Sequence, residues 1–361
     1  MQELNVNRAD FFTVPAGGPL QNRGALPSVR EEEVREALAA SVFDFKALLR
    51  DADARALEQG GEVLPADVQE IVSGLSTFSK MVDELIGDES GLAQQAREDL
   101  GSKLQADLLP YLLMSDSAER WYAKPRGYAG DFLTIERYYE NRPSGSSRLG
   151  PALDRAFLSL PASKAVQNRL GLLVDQIRKS IASSEGEVTK VTSLACGPAR
   201  ELFDCYDQID PRTLQSTLVD MDFQALAFVA DKRDRRGLKK QMHLVNENLI
   251  YLASGRRRID LEPQDLVYSI GLIDYLVDDH VVALMNYCYD ILRPGGRLIL
   301  GNFHPRNPEK AMMDHLVNWR LIHRTEDDLH CLYARSKFAR PCTRVLWEEQ
   351  GINMFGECVK Q

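Results

Sequence analysis

The stretch Val191-Thr192-Ser193-Leu194-Ala195-Cys196-Gly197-Pro198-Ala199-Arg200-Glu201 runs from β-branched and apolar residues into small ones and then into helix formers. That order suits a strand, a tight turn and a helix start. Small residues at Ala195, Gly197 and Ala199 let a ligand approach the backbone, and ligands of open α/β sheets bind outside the carboxyl ends of strands. A connection that merely turns has the same composition, so this segment alone leaves both readings open. The next apolar run ends in Leu218-Val219-Asp220-Met221-Asp222. Asp220 follows Gly197 by 23 residues, near the ~20-residue spacing at which a carboxylate reaches ribose hydroxyls. A carboxylate can accept from both hydroxyls, whereas Asp222 fits a helix cap better. The dinucleotide fingerprint is not met: Pro198 removes an N–H donor, and Glu201 would repel a pyrophosphate. His304, in Asn302-Phe303-His304-Pro305, follows a late apolar run and could position an acceptor or remove a proton. A loop histidine without a chemical role would have the same address.

These residues need elements to hold them. Residues 1–30 include Pro15-Ala16-Gly17-Gly18-Pro19 and Pro27 and read as a flexible arm. From 31 to 150 the pattern is helical, and no convincing strand precedes residue 185. Val34, Leu38 and Val42 give one stripe, Val68, Ile71, Leu75, Phe78 and Val82 a second, and Leu100, Leu104, Leu108 and Leu112 a third. The span is expected to form a helical N-terminal domain and cap. Residues 151 to 361 open with an amphipathic helix over 161–181, then alternate strands and helices. Strands are expected at 188–194, 217–219, 241–245, 265–270 and 297–303, with a closing antiparallel pair at 343–347 and 352–359. The fold class is α/β, a doubly wound, mainly parallel sheet with an N-terminal helical domain.

Composition narrows the class. The 361 residues carry 44 Lys and Arg against 53 Asp and Glu, a net charge of −9. That balance speaks against a nucleic-acid partner, whose phosphates demand basic surface, and the runs at 231–236 and 256–258 are too interrupted to supply it. The six cysteines form no Cys-x-x-Cys pair and no zinc spacing, so no metal site is expected. No run approaches the ~20 apolar residues of a membrane span, and the N-terminus lacks a signal-peptide pattern. A cytoplasmic protein with reduced thiols is expected. The oligomeric state stays open.

With these features in order, the chain resembles the class I S-adenosylmethionine-dependent methyltransferases. Ser193–Ala199 stands at their first motif, with Ser193 for the acid and with Ala195 and Ala199 for two of the glycines. Asp265-Leu266-Val267-Tyr268-Ser269-Ile270-Gly271-Leu272 resembles their fourth strand and the loop after it, and Arg293-Pro294-Gly295-Gly296-Arg297-Leu298-Ile299-Leu300 resembles their later turn and strand. A narrower resemblance is to bacterial makers of 3-hydroxypalmitic acid methyl ester. It rests on Lys124–Asp131, Ala165–Arg169 and Ile322-His323-Arg324-Thr325-Glu326-Asp327-Asp328-Leu329.

The resemblance implies S-adenosyl-L-methionine as cofactor and a pocket made of Ala195, Cys196, Gly197, Asp220, Met221, Asn248, Leu249, Ser269 and Gly271. Asp220 would hold the ribose, Asn248-Leu249 would flank adenine, and Arg169 would pair its planar fork with the cofactor's carboxylate. A cap for Asn248 and a solvated face for Arg169 are the plainer alternatives. Tyr128 and Asp131, in a Gly-punctuated loop, are catalytic candidates beside His304, since an aromatic face attracts a sulfonium; Tyr128 could equally just pack. The expected activity is methyl transfer to a small-molecule acceptor, with the carboxylate of a 3-hydroxy fatty acid as the named guess. N- or O-methylation of a secondary metabolite is the alternative enzyme, and a catalytically silent cofactor-binding partner protein the alternative of another class.

Overall fold

A computed structural model describes residues 28–184 and 186–361. Most of the expected arm, residues 1–27, therefore lies outside the described residues. The remainder of the arm, Ser28–Arg30, opens the first helix instead: Ser28 and Glu31 form a reciprocal capping box, which satisfies two otherwise orphaned backbone donors.

The chain divides into two compact units. One comprises the described residues up to Lys164 together with Asn307–Leu321, and the other comprises Ala165–Arg306 and Ile322–Gln361. The sequence reading places its boundary at 150/151; the structure divides the chain after Lys164 and adds a second, later segment to the helical unit.

The helical unit contains α1 (Val29–Glu58), α2 (Pro65–Ile86), α3 (Gln94–Leu112), α4 (Asp116–Ala123), α5 (Phe132–Glu140) and α6 (Gly150–Leu158). The three apolar stripes form its interior: Val34, Leu38, Val42, Ile71, Leu75, Val82, Leu100, Leu104 and Leu108 are all buried. The aromatic stretch after residue 116 folds into short helices, with Trp121 stacked on Tyr138 at 5.5 Å.

The other unit carries most of α7 (Pro161–Ala182). It then alternates β1 (Thr189–Leu194), α8 (Arg200–Tyr206), β2 (Leu214–Asp220), α9 (Phe223–Arg235), β3 (Met242–Asn246), α10 (Leu249–Ala253), β4 (Gln264–Ser269), α11 (Asp278–Ile291) and β5 (Leu292–Phe303). The segment after β5 holds α12 (Lys310–Leu316), which belongs to the helical unit; α13 (Glu326–Arg335), β6 (Arg344–Trp347) and β7 (Asn353–Val359) complete the sheet unit.

The seven strands lie in the order β3-β2-β1-β4-β5-β7-β6. β1 to β5 are mutually parallel, β7 is antiparallel to β5, and β6 is antiparallel to β7. This is the expected doubly wound sheet. Its central strands are buried on both faces, which explains why they read as near-continuous apolar runs instead of alternating. β1 sits between β2 and β4, so the strand order reverses there and leaves a crevice at the carboxyl ends. Two buried apolar clusters cover the two faces, one including Leu173, Ile177, Leu202 and Phe203 and the other Val281, Leu284, Met285 and Tyr333.

Candidate active site

Register brings the chemistry-bearing residues to one edge of the sheet. Leu194 pairs with Val219 on one side and Ser269 on the other, Asp220 pairs with Asn246, and Ser269 with Leu300. The turn Ala195–Ala199, Asp220, the 246–249 segment and Gly271 therefore all emerge at the carboxyl ends.

The turn after β1 alternates in an unusual way. Ala195, Gly197 and Ala199 all have left-handed backbone, with φ of 52°, 52° and 50°. For alanine this conformation costs about 1–2 kcal/mol, so two non-glycine residues hold strained geometry around the single glycine. A bulkier residue would add steric strain and also fill the crevice. Cys196 lies buried between them, and desolvation pushes its thiol well above the usual range, which makes it an inert packing group.

Asp220 fastens this turn to the end of β2. Its Oδ2 accepts from the Gly197 N–H at 2.9 Å and its Oδ1 from the Asp222 N–H at 2.8 Å. Each carboxylate oxygen has a second acceptor site, so the group can still receive ribose hydroxyls. Burial raises its pKa, and the two backbone N–H groups oppose that shift. Asp222 caps α9 through Gln224 N, the role its position predicts. Asn246 Nδ2 donates to the backbone oxygens of Asp220 and Met221, tying β3 to the same corner. Sequence reasoning missed Asn246, whose identity as a strand-end asparagine carried no special signal.

Asn248 accepts from Ile250 N at 2.9 Å and so caps α10; its cap role is present, with Leu249 buried beside it. Ser269 donates to Leu194 O at 2.8 Å and is buried, a bond that locks β4 to β1. Gly271 has φ of 69°, and a Cβ built there would lie 3.4 Å from Arg169 Nη1. That places the buried Arg169 guanidinium against the post-β4 loop, not on a solvated helix face. Arg169 also lowers the pKa values of two buried carboxyls, Glu201 and Asp274, both of which are raised chiefly by desolvation. Glu201 accepts from Tyr268 OH at 2.7 Å.

Asp274 follows Gly271 in the turn after β4. It is buried, its Oδ1 accepts from Phe303 N at 2.7 Å, and its Oδ2 has no partner among the described residues. Burial raises it to about 6.

His304 lies at the end of β5, buried, with its ring edge-on to Trp347 at 5.3 Å. Its Nδ1 accepts from Arg306 N at 3.0 Å. Burial and the Arg306 charge lower its pKa, so the neutral ring is favoured. A neutral imidazole that accepts at Nδ1 has its proton on Nε2, which offers a donor and no free lone pair.

Tyr128 and Asp131 belong to the helical unit. Asp131 is fully buried and caps α5 through Leu133 N and Thr134 N, while Arg120 Nη2 donates to it at 2.6 Å. Those partners give it a structural task. Tyr128 is half-buried in the loop before it. Among the described residues no group of His, Cys, Asp or Glu could hold a metal ion, and no helix is long and apolar enough to cross a membrane.

A doubly wound sheet with this strand order, a small-residue turn after β1 and an acidic residue ending β2 defines a Rossmann-like protein of the methyltransferase type. The model of the family described as "Putative methyltransferase" matches residues 127–346, more than half of the chain, and the chain belongs to that family. The protein is thus a methyltransferase. Among solved structures, a protein described as a possible exported protein from Bordetella parapertussis is 20% identical; the match covers 82% of this chain and 99% of that one with a TM-score of 0.55, a likeness of fold. Magnesium protoporphyrin IX methyltransferase (ChlM) from Synechocystis PCC 6803 with bound SAH is 11% identical over 63% of this chain and 94% of its own, with a TM-score of 0.45. N-methyltransferase NodS from Bradyrhizobium japonicum WM9 is 14% identical over 55% and 97%, with a TM-score of 0.38. No curated protein matches the chain.

Proposed function

We propose that the crevice binds S-adenosylmethionine and that the protein passes its methyl group to the carboxylate of a small-molecule acceptor, a 3-hydroxy fatty acid being the candidate. The observation that carries the donor reading is Asp220, clamped by Gly197 N and Asp222 N at the mouth of a strained small-residue turn. The residues fit the donor's parts. Asp220 receives the ribose, the Met221 and Asn248-Leu249 side takes adenine, Ala195–Gly197 approaches the amino-acid portion, and Arg169 beside Gly271 pairs with its carboxylate. When bound, S-adenosylmethionine supplies an electrophilic methyl on a positive sulfur that leaves as a neutral thioether.

The chain's own contribution is alignment and exclusion of water around an in-line displacement. A fatty carboxylate is already ionised at neutral pH and needs no base. His304 suits such an acceptor because its Nε2–H can hold a carboxylate oxygen, and its Nδ1 is already engaged. In the transfer the C–O bond forms as the C–S bond breaks, and no proton is released. The six unpaired cysteines fit a reducing compartment, so we place the reaction in the cytoplasm.

The test is incubation with methyl-labelled donor and an acceptor panel of 3-hydroxy fatty acids, simple fatty acids, amines and phenols, followed by mass spectrometry. Methyl esters of the 3-hydroxy acids are expected. Label on amines or phenols alone would replace the substrate assignment, and donor uptake with no product from any acceptor would favour a silent binding partner.

A further inference from the structure

The segment Ile322–Leu329 is a motif that the proposed roles leave unexplained, and its centre is Arg324. This side chain is buried, and all five of its N–H donors are engaged. Nη1 donates to Ile273 O at 2.8 Å and to Asn302 Oδ1 at 2.9 Å. Nη2 donates to Leu276 O at 2.6 Å and to Asp278 Oδ1 at 2.8 Å, and Nε reaches the same oxygen at 3.2 Å. Two of the acceptors are main-chain carbonyls at either end of the short turn that follows Gly271. Adjacent bonds complete the brace: Ile322 N donates to Asp274 O at 2.7 Å, and Arg324 N donates to Phe303 O at 3.0 Å. Asn302 Nδ2 donates to Ile322 O at 3.0 Å, and Asp274 Oδ1 accepts from Phe303 N.

We infer that Arg324 is a positioning residue for methyl transfer, fixing the turn from Ile273 to Leu276 against the end of β5 so that the post-β4 loop holds the amino-acid half of the donor. The inference rests on the donor reading above. A planar fork is needed because the acceptors lie in different directions around one guanidinium; lysine, a point charge with three donors, cannot satisfy them together. Reactive geometry tolerates little displacement, with about 1 Å costing on the order of a hundredfold in rate, and Arg324 alone bonds the carbonyls at both ends of this turn.

The division of the crevice gives a test that needs no acceptor. Adenosine would meet only the Asp220 and Asn248 side, whereas S-adenosylhomocysteine also reaches Gly271 and Arg169. Calorimetric titration of the full chain with both probes is therefore compared with Arg324→Lys. The expected result is a loss of about tenfold in S-adenosylhomocysteine affinity with adenosine changed less than about twofold. Asp278→Asn, which leaves both carbonyl bonds in place, serves if the lysine variant does not fold; a smaller selective loss of about threefold is expected. Equal losses for the two probes would mark Arg324 as general scaffolding and overturn the inference, as would unchanged binding of both in a folded variant. Failure of the unsubstituted protein to take up either probe would instead overturn the donor reading.

Discussion

At the scale of single residues, the crevice depends on atoms already committed to the backbone. Asp220 cannot be replaced by its amide without cost: an asparagine would present an NH2 group to one of two N–H donors, at Gly197 or Asp222. Asp220→Asn is expected to lower thermal stability by about 1–3 kcal/mol and donor affinity by roughly a hundredfold, both readable by calorimetry. Ala195→Val should fill the crevice and strain a left-handed position that a β-branched residue resists, abolishing donor binding while secondary structure, followed by circular dichroism, persists. His304 separates two chemistries. If its Nε2–H orients a carboxylate, His304→Gln should keep turnover within about tenfold, whereas His304→Ala should lose about a hundredfold; a basic role would make the two equally inactive. The acceptor in that assay is the one that the labelled-donor panel identifies.

Elements decided which of these residues could be found by reading. Parallel strands buried on both faces leave continuous apolar runs, so 188–194 and 265–270 were legible to within a residue of their ends, and the closing hairpin was legible from its short turn; 297–303 misses the first five residues of β5, Leu292–Gly296, where Pro294-Gly295-Gly296 reads as a turn. Asp220 and Gly197 were legible because a strand end and a tight turn constrain residue type. Arg169 was not decided, because a guanidinium on an amphipathic helix reads the same whether it faces water or Gly271. The acceptor state of His304 was invisible, since it depends on one backbone N–H from Arg306. The expected domain over 151–361 groups the segment after β5 with the sheet, but the partners of Asn307–Leu321 lie in the helical unit. Glu309 accepts from Ala162 N, Arg320 forms a fork on Glu98, and Gln105 donates to Leu316 O. Such long-range polar ties leave no periodic trace.

One of those ties is sensitive to pH. Glu309 is buried with Asp83 and Lys80 nearby, and desolvation raises its pKa from 4.5 to about 7. A carboxyl raised in the folded state binds its proton more tightly there than in the unfolded chain, so the folded state loses stability as pH climbs from 4.5 towards 7. Glu309→Gln keeps an oxygen to accept from Ala162 N and removes the ionisation. Its free energy of unfolding should match that of the unsubstituted protein near pH 5 and exceed it near pH 8, by a margin on the order of 1–3 kcal/mol; equal curves at both pH values would contradict this.

For the whole molecule, the proposed seat of the adenosyl donor is the acidic corner between β1 and β2. S-adenosylhomocysteine carries one ammonium and one carboxylate at neutral pH and so no net charge; a net charge of −9 gives it no general attraction, and affinity must come from that corner and from Arg169. Calorimetric titration of the full chain with S-adenosylhomocysteine, beside Asp220→Asn, tests this most directly. Saturable binding at one site per chain, weakened roughly a hundredfold by the substitution, is the expected result. Absence of heat and of uptake in the unsubstituted protein, or equal affinity in both, would contradict it.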